Sequence, residues 1–119
     1  MTRSIRAITA LLAIAAVLAG CSPTPTAGTA APAAASVNVD VQGFKFPANT
    51  DVAKGTKVTW TNKDGTGHTV TSGTAPTKDG KFDGQLPAAG TFSYTFADTG
   101  TYTYFCSIHT TMTGTITVR

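Results

Sequence analysis

The chain has few of the residues that staple a small domain or carry chemistry. Its 119 residues contain two cysteines, two histidines, two methionines and one tryptophan, and only 13% are charged. Two cysteines allow at most one internal disulfide, so this is no disulfide scaffold. The formal charge of +3 rests on nine basic and six acidic residues. Two of the basic ones, Arg3 and Arg6, stand at the very start; without them seven face six, and no basic stripe remains. Nucleic-acid binding and electrostatic attachment to an anionic membrane are therefore not expected. Beyond residue 20 there is no long apolar run, and no segment shows a helical stripe.

What the chain does have is organised in three parts. Residues 1–20 read as an export signal: Arg3 and Arg6 precede the uncharged run "AITALLAIAAVLA" (Ala7–Ala19), which is too short for a confident membrane span. The following Leu18-Ala19-Gly20-Cys21 resembles a bacterial lipoprotein signal. That resemblance implies lipid on Cys21, export, and anchoring to the outer face of the cytoplasmic membrane. Residues 21–36 continue as "SPTPTAGTAAPAAAS" after Cys21 and lack any large apolar side chain. Such a stretch cannot repay the cost of ordering. As an extended tether at about 3.1 Å per residue, it reaches on the order of 40 Å. Residues 37–119 form one small domain.

Within that domain apolar residues alternate. Val37, Val39 and Val41 share one face; so do Val58 and Trp60; Phe92, Tyr94 and Phe96; Tyr102, Tyr104 and Cys106; and Ile116 with Val118. A period of two marks half-buried strands. Gly55, "KDGTG", "KDG", "PAAG" and "DTG" punctuate them as turns. The lysines and aspartates of "NKDG" and "TKDGKFDG" read as solvated turn residues. Several short strands imply an all-β sandwich of two antiparallel sheets. "DTGTY" is similar to a tyrosine corner, a role open to Tyr102. The immunoglobulin-type disulfide fails, because Cys106 has no second core cysteine.

One stretch breaks the scarcity. "YFCSIHTTM" places Cys106, His109 and Met112 at C-x-x-H-x-x-M spacing. The remaining histidine, His68, follows the Trp60 strand behind a Gly-rich turn. Taken singly, Cys106 reads as a small buried hydrophobe, His68 as a loop histidine and Met112 as core. Taken together they form a metal-ligand set that two loops at one end of a sandwich can supply. A soft thiolate, two imidazoles and a weak thioether suit copper in both oxidation states.

"DTGTYTYFCSIHTTMTGTITV" resembles the copper-binding end of the cupredoxins, the small blue copper proteins, and is most similar to the plastocyanin- and amicyanin-like members. "FKFPANTDVAKGTKVTWTNKDGTGHTVTS" resembles the family's first half. The resemblance spans Val37–Arg119 and implies a Greek-key β-sandwich. It also implies one type 1 copper ion with His68, Cys106 and His109 as equatorial ligands and Met112 as the weak axial ligand. His109 would then be the electron port, docking a protein donor and acceptor around its outer edge, and the protein would be a monomer. Three positions depart from the pattern. Thr69 stands where an Asn often links the two ligand loops, so that link must be built differently. Ile108 and Thr110 stand where prolines often flank the second His. Ile108 keeps an N–H that a proline lacks, and the loop could aim it at the Cys106 sulfur. The function implied is a lipid-anchored single-electron carrier; a module for copper delivery, storage or sensing would use the same ligands. Nothing supplies an oxyanion site or substrate pocket for a Cys106–His109 nucleophile, so an enzyme is not expected.

Overall fold

The computed structural model describes residues 33–119, together with Gly20 and Gly28. The signal segment, Cys21 and most of the tether lie outside the described residues. Eight strands follow: β1 (Ser36–Val41), β2 (Thr50–Val52), β3 (Lys57–Asn62), β4 (His68–Thr74), β5 (Thr77–Leu86), β6 (Thr91–Thr95), β7 (Gly100–Phe105) and β8 (Thr113–Val118). Chain order begins one residue before the expected boundary at Val37, and Lys57 N–H already bonds Ala35 O at 2.8 Å.

The strands form two sheets, β1-β3-β6 and β2-β8-β7-β4-β5, which make an all-β Greek-key sandwich. The sheets are mixed rather than purely antiparallel. β1 runs parallel to β3, with Val39 opposite Trp60, and β2 runs parallel to β8. The chain leaves β1 at one edge and crosses to the other sheet for β2, so neither strand has a hairpin partner next in sequence.

Alternation places the core as expected. Val39, Val41, Val58, Trp60, Phe96, Tyr104, Cys106, Ile116 and Val118 are all buried. Trp60 sits at the centre, with ring centroids 5.4 Å from Tyr104, 5.8 Å from Phe92 and 5.9 Å from Phe82. An aromatic cluster of this kind supplies much of the apolar burial that a domain this small must find. Phe105 is buried as well, on the opposite face from Tyr104. Tyr102 does close a corner: its hydroxyl donates to Asp98 O at 3.0 Å.

One expectation fails. "TKDGKFDG" is not a turn but most of β5, an edge strand paired with β4. Its exposed side chains are charged because one side of the strand meets water. Lys78 bonds Asp83, and Lys81 bonds Asp79 at 2.6 Å. Charged edge strands of this type also resist pairing with other chains.

Candidate metal centre

The site grows from the pairing of β4 with β7. These strands are antiparallel, with Thr71 opposite Phe105 and Ser72 opposite Tyr104. Two residues further along, that register sets Thr69 opposite Ser107. His68 and Cys106 therefore come from neighbouring strand ends although 38 residues separate them in the chain. Cys106 is fully buried and His68 is 1% exposed.

The chain after Cys106 makes a tight loop. Cys106 N–H donates to Met112 O at 3.0 Å, and Met112 N–H donates to His109 O at 2.9 Å. These two bonds fold His109 back over the strand ends without either flanking proline. Met112 is buried and packs with the core.

The ligand atoms of His68, Cys106 and His109 all lie within 4.8 Å of one another. His68 Nδ1 faces His109 Nδ1 at 3.2 Å, and Cys106 Sγ lies 3.8 Å from His109 Nδ1. The other ring nitrogen of His68, Nε2, lies 3.0 Å from Asp64 Oδ2. The N–H groups of Phe44 and then Gly43 hold the Asp64 carboxyl below its ordinary carboxylate value. An ionised carboxylate only accepts, so it takes the Nε2 proton and leaves the Nδ1 lone pair of His68 aimed into the cluster. A buried thiol and two nitrogen donors directed at one point form a borderline-soft metal site. The residues present fit a copper ion.

Thr69 does link the loops, by its own route. Its Oγ1 accepts the Ser107 N–H at 2.8 Å and lies 3.0 Å from both Ser107 Oγ and Thr71 Oγ1. Its backbone N–H reaches Cys106 Sγ at 3.4 Å. The sulfur thus has a backbone donor in Thr69, a position expected to link the loops rather than to reach the thiol. Ile108 sits on the outer turn, with its side chain 58% exposed. Strand register holds Thr69 beside the sulfur.

Two site residues escaped sequence reasoning. Asp64, grouped there with solvated turns, accepts from Gly43 N–H at 2.7 Å and Phe44 N–H at 2.9 Å and also holds His68. The available signal was a carboxylate four residues before a lone histidine. Phe44 packs nearly perpendicular to both imidazoles, with centroids 5.1 Å from His68 and 5.0 Å from His109. No periodicity marks it, because it lies in an irregular connection. Asn62 supports the whole segment: its Nδ2 donates to the carbonyls of Thr66, Leu86 and Pro87, and its Oδ1 accepts the Asp64 N–H.

Comparison with known proteins agrees with this geometry. Residues 33–119 match the family described as copper binding proteins, plastocyanin/azurin family. The chain belongs to that family. Among solved structures it is similar to a reduced, Cu(I) form of an amicyanin variant, at 29% identity and a TM-score of 0.63, covering 71% of this chain and 82% of that one. It is likewise similar to a purple cupredoxin from Nitrosopumilus maritimus, at 29% identity and a TM-score of 0.61, covering 71% of this chain and 99% of that one. No individually curated protein matches the chain. Family, fold and the His68–Cys106–His109 cluster together support a type 1 copper site.

Proposed function

We propose that this protein is an exported single-electron carrier, held to the outer face of the cytoplasmic membrane by lipid on Cys21. His68 Nδ1, Cys106 Sγ and His109 Nδ1 would hold the copper, with the buried Met112 thioether as a weaker fourth donor. The carrying observation is the convergence of one buried thiol and two imidazole Nδ1 atoms within 4.8 Å of one another. Copper supplies a Cu(I)/Cu(II) couple there, and the chain supplies a rigid set of donors that need not rearrange between the two states. Asp64 fixes the His68 ring, Thr69 fixes the Cys106 strand end, and the loop bonds fix His109. All four proposed ligands come from one chain, so a monomer suffices.

A surface for partners follows from exposure. Phe44 and Ile108 are the two large hydrophobics that stand exposed among the described residues, at 47% and 58%. One touches the His109 ring and the other precedes His109 in sequence. An apolar rim around a half-buried imidazole suits brief docking of a protein donor or acceptor, because it desolvates easily and lacks the ion pairs that slow release.

Visible absorption after Cu(II) addition tests the site. Wild type should show an intense thiolate-to-copper band, Cys106→Ser should lose it, and Met112→Gln should keep copper at a lower reduction potential. A blue Cys106→Ser variant would refute the ligand set. Copper retained in both oxidation states against a chelator separates a carrier from a delivery module. Anchoring is tested by fatty-acid labelling, which should mark wild type and not Cys21→Ser.

A further inference from the structure

Phe44 is an unusual residue in an unusual place. Its backbone is left-handed, with φ of 58°, and follows Gly43 at φ 65°. Glycine adopts that conformation freely, but a bulky side chain there carries a steric cost. The same ring is 47% exposed, which wastes apolar surface. Both costs are tolerated, and the Asp64 carboxylate shows how: it accepts the N–H of Gly43 and of Phe44. Strained residues that persist in this way collect at functional sites.

The ring's position gives a reason. His68, His109 and Phe44 form a triangle of aromatic rings, with centroids 5.0–5.2 Å apart and interplanar angles of 72–83°. Phe44 is the apex exposed to water. Its plane is nearly perpendicular to both imidazoles, and its ring is packed against that of His109. Asp64 joins the two halves of this arrangement, since one carboxylate holds the turn carrying Phe44 and the ring of His68.

We propose that Phe44 is a positioning residue that covers the metal centre, holding His109 in place and excluding water and small anions from the copper. This rests on the copper reading above. The strained turn is thus retained because it is the conformation from which this ring reaches both imidazoles. The bland alternative is an exposed turn residue with no bearing on the metal.

The test compares wild type, Phe44→Ala and Phe44→Tyr. Two quantities are read on the copper-loaded proteins: the rate of copper loss to excess chelator, and the change in the visible and electron paramagnetic resonance spectra on titration with azide. Losing two edge-to-face contacts should speed copper loss by about tenfold or more in Phe44→Ala. The same variant should bind azide where wild type does not. Phe44→Tyr should restore wild-type behaviour. Loss rates and azide responses in Phe44→Ala equal to wild type would overturn the proposal while leaving the copper reading intact. Failure of wild type itself to take up copper would overturn both. Far-ultraviolet circular dichroism of Phe44→Ala checks its fold; an unfolded variant would show that the ring serves the domain rather than the metal, which also overturns the proposal.

Discussion

Thr69→Val replaces a hydroxyl by a methyl of nearly equal size, and the structure says what it should cost. Thr71 spends its one hydroxyl proton on Asp83 Oδ1 at 2.8 Å. Thr69 therefore donates to Thr71 and accepts from the Ser107 N–H and the Ser107 hydroxyl. Donor and both lone pairs are used. Valine deletes all three bonds in a residue only 2% exposed. Ser107 lies at the surface and can turn to water, so the loss falls mostly on the Ser107 N–H and the buried Thr71 oxygen. At about 0.5–1.5 kcal/mol per bond, the total is about 2 kcal/mol. For a domain of this size that is a fall in Tm of about 8–16 °C. The assay is thermal or urea unfolding of the metal-free protein. The valine keeps the backbone N–H on Cys106 Sγ, so the absorption band of the copper-loaded variant should stay close to wild type. A Tm within about 2 °C of wild type would refute the reasoning, because it would correspond to under 1 kcal/mol. A large spectral shift without loss of stability would mean that Thr69 acts on the sulfur rather than on the loops.

Two other perturbations follow from local packing and charge. Gly114→Ala would put a Cβ 2.5 Å from Tyr104 Cζ; Tyr104 is 1% exposed and braced by Trp60 and Phe46, so overpacking should cost about 1–3 kcal/mol in urea unfolding. The Lys81 ammonium, and next the Ser72 hydroxyl, push the Asp79 carboxyl from 3.8 down to about 2. A carboxyl lowered in the folded state stabilises above its unfolded value and loses that contribution as pH falls from about 4 through about 2. NMR titration should therefore place its midpoint near 2, moving upward with added salt because the pair is exposed; a midpoint at the ordinary value would show that the pair does not form.

The strands with strict alternation and large apolar residues were legible, and they carry the core: Val39 and Val41, Val58 and Trp60, Tyr104 and Cys106, Ile116 and Val118. β5 was not, because its glycines and charges imitate turn chemistry, and an edge strand needs no apolar periodicity. The parallel pairings of β1 and β2 leave no local signal, since their partners lie at a distance along the chain. The C-x-x-H-x-x-M spacing and the lone upstream histidine point to the cluster directly, because one short loop carries most of it. Its supports are less visible. Asp64 and Phe44 act through contacts between connections that are remote in sequence, and their residue types are ordinary turn residues; Thr69 was marked only by its place beside His68.

The supports also rank the ligands by how firmly each is held. Cys106 is set by the β4–β7 register, and a slip of one residue there would turn Thr69 away from Ser107 and move the thiol off the histidines. His68 begins β4, is buried, and is tied through Nε2 to the carboxylate of Asp64, whose N–H in turn donates to Asn62 Oδ1. His109 has neither a strand nor a carboxylate. It hangs from a loop closed by the Cys106–Met112 and Met112–His109 backbone bonds and rests against Phe44. Its ring is half-buried and its turn is exposed. The donor most open to solvent is therefore the one held by the loop rather than by the strands. The cover and the two loop bonds concentrate where the strands can no longer hold the ring.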